Sequence, residues 1–443
     1  MTARSLALQI LIERETRDTF THLALAALPP LEARDRALVT ELVQGTTRRL
    51  RSLDHVLDRV VKGGVTRLTP PIRNNLRLAA YQLLFTAIAP HAVVHEAVAL
   101  AGRFGHRGVA GLTNAVLRRL QREGQGLLPG AGTGDAAALA LLYSLPDWIV
   151  ETWVSDRGLD EARHLAEQSA APLPLTLRIR PGGDAREVWI DRLAEVGVTA
   201  RPARWLSEAL ILETGSAVPE LPGFEDGAWT VQGEGAMLAS RVLDPRPGDT
   251  IVDLAAAPGG KTAHLHDLLS GRGRLVAIDV HPGRLRVLER NLARLAIDGV
   301  EVREGDARQV RDLEADRVLL DAPCSGLGVL ARKADLRWRF KPADLPGLLE
   351  LQAGMLDAAA ALVRPGGVLV YATCTVNRAE NEAQVEAFLR RRPGFRLEAW
   401  PPVEGGLWPP GSETGMIQLT PHEHGVEGFF VARLVRATGG ESG

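Results

Sequence analysis

The chain has 443 residues, 45% hydrophobic and 24% charged, with a net charge of −2. That length exceeds one compact core and points to two or three domains of ordinary globular composition. No apolar run reaches the roughly 18 residues a membrane span needs; two cysteines, Cys324 and Cys374, far apart in sequence, give neither a disulfide framework nor a zinc pattern, so a reducing, cytoplasmic location without membrane or metal is expected.

The N-terminus, MTARSLALQILIERETRD, carries Glu13, Glu15 and Asp18 behind a short apolar run. It reads as an amphipathic helix and not as a signal peptide. ARDRALVTELVQGTTRRL places Leu38, Leu42 and Val43 at helical spacing. PPIRNNLRLAAYQLLF does the same with Leu76, Ala80, Leu83 and Leu84 behind Pro70 and Pro71, which suit a helix start. Residues 1–122 therefore form an all-α domain. Within it, residues 1–120 hold 17 Lys or Arg against 9 Asp or Glu, a net of +8, leaving −10 for the remainder. A basic third on a near-neutral chain points to a polyanionic partner, nucleic acid first.

A Gly-rich stretch, 123–137, reads as a linker. Residues 138–240 mix helical patterns (PDWIVETWVSDRG, DAREVWIDRLAEVG) with short strands (PLTLRIR, ALILET, AWTVQ), a small α+β domain. From about 241 to 437 the rhythm is strand then helix, with near-continuous apolar strands such as DTIVDLA, RLVAIDV, DRVLLDA and GVLVYATC. That pattern indicates a doubly covered parallel α/β sheet, in which ligands sit beyond the carboxyl ends of the strands.

The unusual residues gather at those ends. VDLAAAPGGKT turns from a strand through Ala255, Ala256, Ala257, Pro258, Gly259 and Gly260 into a helix bearing Lys261. It is not a phosphate loop, because Ala255 stands where that pattern needs Gly, and G-x-G-x-x-G is absent too. A small-residue turn without a phosphate cradle suits a ligand whose only anion is a carboxylate, and S-adenosylmethionine is one. Asp279, about twenty residues on, ends the second strand, where a carboxylate can accept two ribose hydroxyls. Asp306 ends the third, where an adenine amino group would lie. Asp321 and Cys324 end the fourth in RVLLDAPCSGLG, and Cys374 ends the fifth in YATCTVNRAENE. If strands four and five are neighbours, both cysteines enter one crevice. RKADLRWRFK, 332–341, interleaves five basic residues with Trp338 and Phe340 and could line an RNA groove.

DLAAAPGGKT, DAPCSGLG, ATCTVNRAENE and EGFFVARL, in this order, resemble the RNA 5-methylcytosine methyltransferases. With ARDRALVTELVQGTTRR and PPIRNNLRLAAYQLLF, which resemble a NusB-type domain, the whole is similar to the RsmB (Sun/Fmu) family. The resemblance implies a NusB-like RNA-binding domain, an RRM-like small domain and a Rossmann-like class I methyltransferase domain. It further implies a monomer that binds S-adenosylmethionine through Ala255–Lys261, Asp279, Asp306 and Asp321, with small-subunit ribosomal RNA as substrate at cytosine 967 of 16S rRNA.

From the residues alone, either cysteine could add to C6 of the ring. The ring also needs a partner on its N3/N4 edge, and Asp321, the only acid of the fourth-strand motif, could be that partner; the family implies Cys374 as nucleophile and Cys324 for release and as general base. The sequence departs from the family's habits at Ala255 (often Cys), Gly233 (often Asp) and Glu427 (usually Asp). Two rival readings stay open at this point: an RNA-binding ribosome-assembly factor with an inert methyltransferase fold, and an exocyclic-amine RNA methyltransferase.

Overall fold

The computed structural model describes residues 2–104, 107–128, 130, 134–171, 173–213, 218–403 and 407–438. The chain divides into two compact units, one of residues 1–172 with 330–339, the other of 173–329 with 340–443. No helix among the described residues is long and apolar enough to cross a membrane.

The first unit is helical: α1 (Ala3–Arg17), α2 (Thr21–Ala26), α3 (Ala33–Arg48), α4 (Leu50–Val60), α5 (Pro70–Phe85), α6 (Pro90–Phe104) and α7 (Arg107–Leu127). The helical spacing read from the sequence converges on one core, in which Leu8, Leu42, Leu53, Leu57, Leu76 and Leu117 are fully buried. Pro70 and Pro71 occupy the first turn of α5, where a missing N–H costs nothing. Three more helices, α8 (Ala136–Leu142), α9 (Asp147–Arg157) and α10 (Leu159–Ala170), belong to this unit and not to the sheet that follows. Ser144, between α8 and α9, accepts the Arg51 N–H at 2.9 Å and so fixes them on α4.

Leu330–Arg339 also belongs to the helical unit, although it falls between two elements of the other. Its Arg337 is fully buried. One guanidinium nitrogen donates to the Arg48 carbonyl at 3.1 Å, and the other to Ser169 at 2.8 Å and Leu330 at 3.1 Å. The Trp338 indole donates to the Thr47 carbonyl at 2.8 Å, and Asp335 pairs with Arg14 at 2.7 Å. The RNA-groove reading of this stretch is corrected for these residues. Their donors are turned inward because helix-end carbonyls buried here need partners.

The second unit opens with a small antiparallel sheet of β1 (Leu175–Ile179), β2 (Ala200–Pro202), β3 (Ala209–Leu212) and β4 (Trp229–Val231) in the order β2-β3-β1-β4. The helix α11 (Arg186–Glu195) packs Trp189 and Leu193 against Leu177, Leu210 and Trp229.

The large sheet comprises β5 (Thr250–Leu254), β6 (Arg274–Asp279), β7 (Val300–Glu304), β8 (Ala315–Asp321), β9 (Val363–Thr373), β10 (Phe395–Leu397), β11 (Met416–Leu419) and β12 (Phe429–Arg436). Its order is β10-β12-β9-β8-β5-β6-β7, with β11 also on β12. The first five strands are parallel, and β12 is antiparallel to β9.

Alternate side chains explain why the strands read as unbroken apolar runs. Ile251, Leu319 and Val370 face α12 (Glu234–Val242) and α13 (Gly260–Leu269). Val252, Val318, Leu320 and Tyr371 face α16 (Leu345–Leu362) and α17 (Glu382–Arg391). A further helix, α14 (Pro282–Arg294), follows β6, and the short α15 (Leu336–Arg339) lies in the segment that belongs to the helical unit. Strand order reverses between β5 and β8, which places a crevice at their carboxyl ends.

Candidate active site

The crevice begins with the turn that leaves β5. Ala255 and Gly259 both have positive φ, at 59° and 98°, so the chain reverses within five residues. Gly259 is required twice over, since a Cβ there would lie 2.9 Å from the Leu288 side chain on α14. The turn is pinned by Ala256 N–H to the Ile278 carbonyl at 3.0 Å and by Asn291 Nδ2 to the Pro258 carbonyl at 2.8 Å.

Beneath it, Asp253 is fully buried and accepts from the Thr262 hydroxyl at 2.6 Å. Burial pushes its carboxyl up to about 7 despite that hydrogen bond.

Beside the turn is a cleft of about 260 Å³ whose walls include Ala255, Asp279, Asp306, Pro323 and Met355. Asp279 is buried; its carboxylate accepts the Ala257 N–H at 3.2 Å and the His281 N–H at 3.0 Å. Asp306 pairs with Arg308 at 2.7 Å, and that guanidinium lowers its pKa. A cleft of adenosine-like proportions, apolar walled, with carboxylates from the second and third strands, fits S-adenosylmethionine, the methyl donor of this fold. Of the expected cofactor residues, Ala255, Asp279 and Asp306 line this cleft, whereas Ala256 to Gly260 form the turn behind it.

Lys261 is placed elsewhere. Its ammonium lies 2.7 Å from Asp321 Oδ2 and 5.2 Å from the centre of the Phe429 ring. Burial alone would depress the Lys261 pKa, but Asp321 outweighs it and raises the value. A cation and a carboxylate thus stand together at the carboxyl end of β8.

β8 and β9 are neighbours, with Asp321 opposite Ala372, so the loops after them run side by side. Cys324 Sγ and Cys374 Sγ are 3.3 Å apart and both are free thiols. The hydrogen bond to Cys374, burial, and the charges of Cys374, Glu380 and Asp321 together push the Cys324 thiol well up. Gly328 donates to the Cys374 carbonyl at 3.0 Å, and Gly428 donates to the Gly328 carbonyl at 3.0 Å. A Cβ on Gly328 would lie 2.0 Å from that Gly428 oxygen, so only glycine admits this approach.

One functional side chain went unread in the sequence. Glu380 is fully buried and its carboxylate accepts from Ser325 N–H at 2.8 Å, from the Ser325 hydroxyl, and from Gln352 Nε2 at 3.0 Å. Gln352 also donates to the Pro323 carbonyl at 2.9 Å, and the Thr375 hydroxyl approaches Glu380 at 3.3 Å. Glu380 therefore ties both cysteine loops to α16. In RAENE it looks like one acid of a solvated turn, because Ser325 and Gln352 are far off in sequence.

Two departures from the family's habits meet in space. A Cβ on Gly233 would lie 1.6 Å from Glu427 Oε1, so the longer acid at 427 occupies the room that any side chain at 233 would take.

Comparison with known proteins agrees with this architecture. Residues 240–435 match the model of the 16S rRNA methyltransferase RsmB/F family, residues 1–122 the NusB family and residues 145–219 the RsmF/B-like ferredoxin-like domain. The chain is 39% identical to the probable ribosomal RNA small subunit methyltransferase B of Synechocystis, covering 99% of this chain and all of that protein. It is 33% identical to the Bacillus subtilis protein of the same name, over 97% and 98% of the two.

The crystal structure of PH0851 superposes with a TM-score of 0.80 at 28% identity, over 98% of this chain and 99% of that one. NSun6 from Pyrococcus horikoshii, solved with SFG, gives 0.59 at 26% identity, over 66% and 98%. Whole-length identity to methyltransferase B proteins, with all three domain models matched in order, places this chain in the RsmB family of S-adenosylmethionine-dependent methyltransferases.

Proposed function

We propose that this protein methylates C5 of a cytosine in 16S ribosomal RNA, at position 967 as the family resemblance implies, through a covalent bond between Cys374 and C6. The observation that carries the reading is the pair of free thiols 3.3 Å apart at one crevice rim, beside the Lys261–Asp321 pair. Methylation of an exocyclic amine would have no use for either sulfur.

C5 of cytosine is a poor nucleophile. Attack of a thiolate on C6 turns the ring into an enamine with electron density at C5. Cys324 keeps its proton at rest and offers a hydrogen bond to the Cys374 sulfur, which favours Cys374 as the thiolate. Asp321 faces the N3/N4 edge and Lys261 neutralises it, so the pair supplies one acceptor and one donor to the ring as its charge shifts. Bound S-adenosylmethionine supplies the electrophilic methyl group.

Release then requires loss of the C5 proton and expulsion of the thioether. In the adduct the Cys374 sulfur is a neutral thioether, which weakens the hydrogen bond and removes the repulsion that help hold the proton on Cys324. Cys324 can then shed its proton to solvent and take the one on C5. The C5–H electron pair restores the C5–C6 double bond, and Cys374 leaves as thiolate. The base must leave its stack to reach this rim. Cysteines and cofactor cleft both intact also weigh against an inert assembly factor.

The test is transfer of a labelled methyl group to unmodified 16S rRNA, followed by nuclease digestion and nucleoside analysis. 5-Methylcytidine at one site is expected. N4-methylcytidine, or no transfer to naked RNA or to small-subunit particles, would overturn the reading.

A further inference from the structure

The sheet has a second concave feature at the end opposite the cysteines. A cavity of about 330 Å³ is lined by Arg246, Arg317, Arg396, Arg433, Arg436 and Glu398, among others. Arg317 lies four residues before Asp321 on β8, about 13 Å away along the strand at 3.3 Å per residue. Val368 of β9 pairs with Arg317, and Val435 of β12 pairs with Val368, so three strand ends converge here.

Five guanidinium groups meet only three carboxylates, Asp244, Asp249 and Glu398, so this wall keeps a net positive charge. The floor is built, because Arg317 and Arg433 are 6% and 5% exposed. Arg317 is held by Asp249 and by the Leu243 carbonyl at 2.7 Å, and Arg433 by the Val242 carbonyl at 2.6 Å and Glu398 at 3.4 Å. The Arg433 Nε–H is buried without an acceptor. Burial lowers the Arg433 pKa, Glu398 offsets part of this, and repulsion from Arg317 adds to it. An anion would relieve both the repulsion and the unmet donor. The rim carries Arg246 and Arg396, whose side chains are 70% and 56% exposed.

We propose that this cavity binds a phosphate group. The planar forks of several arginines match tetrahedral oxyanions, and a cation is excluded by sign. The phosphate comes either from the RNA backbone, which would extend the RNA footprint to the far end of the sheet, or from a free phosphate-bearing small molecule. Only the first source rests on the RNA reading above.

The experiment uses the full-length protein and its Arg246→Gln/Arg396→Gln variant, which changes only exposed side chains. Inorganic phosphate is titrated against chloride at matched ionic strength, and melting is followed. Wild type should gain about 1–3 °C saturably, and the variant should lose most of that gain. Binding of a 16S rRNA fragment is then measured across salt. If the backbone is the source, the variant's slope of log K against log salt falls by about 1.4–1.8, the loss of two phosphate contacts. An unchanged slope with the phosphate effect lost assigns the cavity to a free phosphate-bearing molecule. Equal stabilisation of both proteins, or none beyond chloride, overturns the site. Failure of methyl transfer alone leaves the phosphate titration standing.

Discussion

Replacing Glu380 tests whether the two cysteine loops are held by one buried carboxylate. Glu380→Ala strands the Ser325 N–H, the Ser325 hydroxyl and the Gln352 amide, donors that now sit at 2.8 to 3.0 Å or closer. Each buried donor left unmet costs about 1–3 kcal/mol, and shared partners make the sum less than additive, giving a loss on the order of 4 kcal/mol. Glu380→Gln keeps the shape but turns an amide N–H toward a donor and removes the charge, a loss of about 2 kcal/mol.

Urea unfolding followed by tryptophan fluorescence reads the first quantity, with the midpoint order wild type, Gln, Ala. The charge has a second consequence that packing alone would not produce. Glu380 is one of the groups that push the Cys324 thiol up, so Glu380→Gln should speed alkylation of Cys324 by iodoacetamide at pH 8, read by peptide mass spectrometry. A Gln variant that unfolds at the wild-type urea concentration and alkylates Cys324 at the wild-type rate would show that Glu380 does not hold the two loops.

Other consequences follow from the same geometry. Gly328→Ala places a Cβ 2.0 Å from the Gly428 carbonyl oxygen. It should separate the cysteine loops, cost about 1–3 kcal/mol and abolish methyl transfer, with cofactor binding by equilibrium dialysis retained. Asp253 has a folded value of about 7 against 3.8 when exposed, so the folded state holds the extra proton and stability falls as pH rises from about 4 through about 7. Asp253→Asn should remove on the order of 2–4 kcal/mol of that fall, seen in urea midpoints at pH 5 and pH 8. Arg337→Met strips the buried carbonyls of Arg48, Ser169 and Leu330 of their donor. It should destabilise the helical unit by about 3–5 kcal/mol in the same assay, and an unchanged midpoint would contradict the packing account.

The sequence made the catalytic sheet legible because its strands are buried on both faces and its special residues stand at strand ends. Apolar runs ending in Asp279 and Asp321 were enough to place those carboxylates, and the proximity of Cys324 and Cys374 followed from strand adjacency. Short strands were legible only in part. β3 was read within ALILET and β4 within AWTVQ, but β2 and β10, of three residues each, were not, and β11 sits within a loop-like stretch. The basic run 332–341 looked like surface because charge usually is; Arg337 alone of its basic residues is buried, with a carbonyl acceptor, Arg48, nearly 300 residues away in sequence. Lys261 read as part of the cofactor turn, but its long side chain reaches Asp321. Glu380 was hidden for the same reason as Arg337, since a buried polar residue is recognised by its partners and these are distant in the chain.

The assignment of the two sulfurs is tested most directly by incubating Cys324→Ala and Cys374→Ala with 16S rRNA and S-adenosylmethionine and resolving the products on a denaturing gel. Cys324→Ala is expected to accumulate a covalent protein–RNA band, because attack proceeds and release stalls. Cys374→Ala is expected to give neither band nor methylated RNA. Turnover by Cys374→Ala, or an adduct formed through Cys324, would overturn the assignment of the sulfurs.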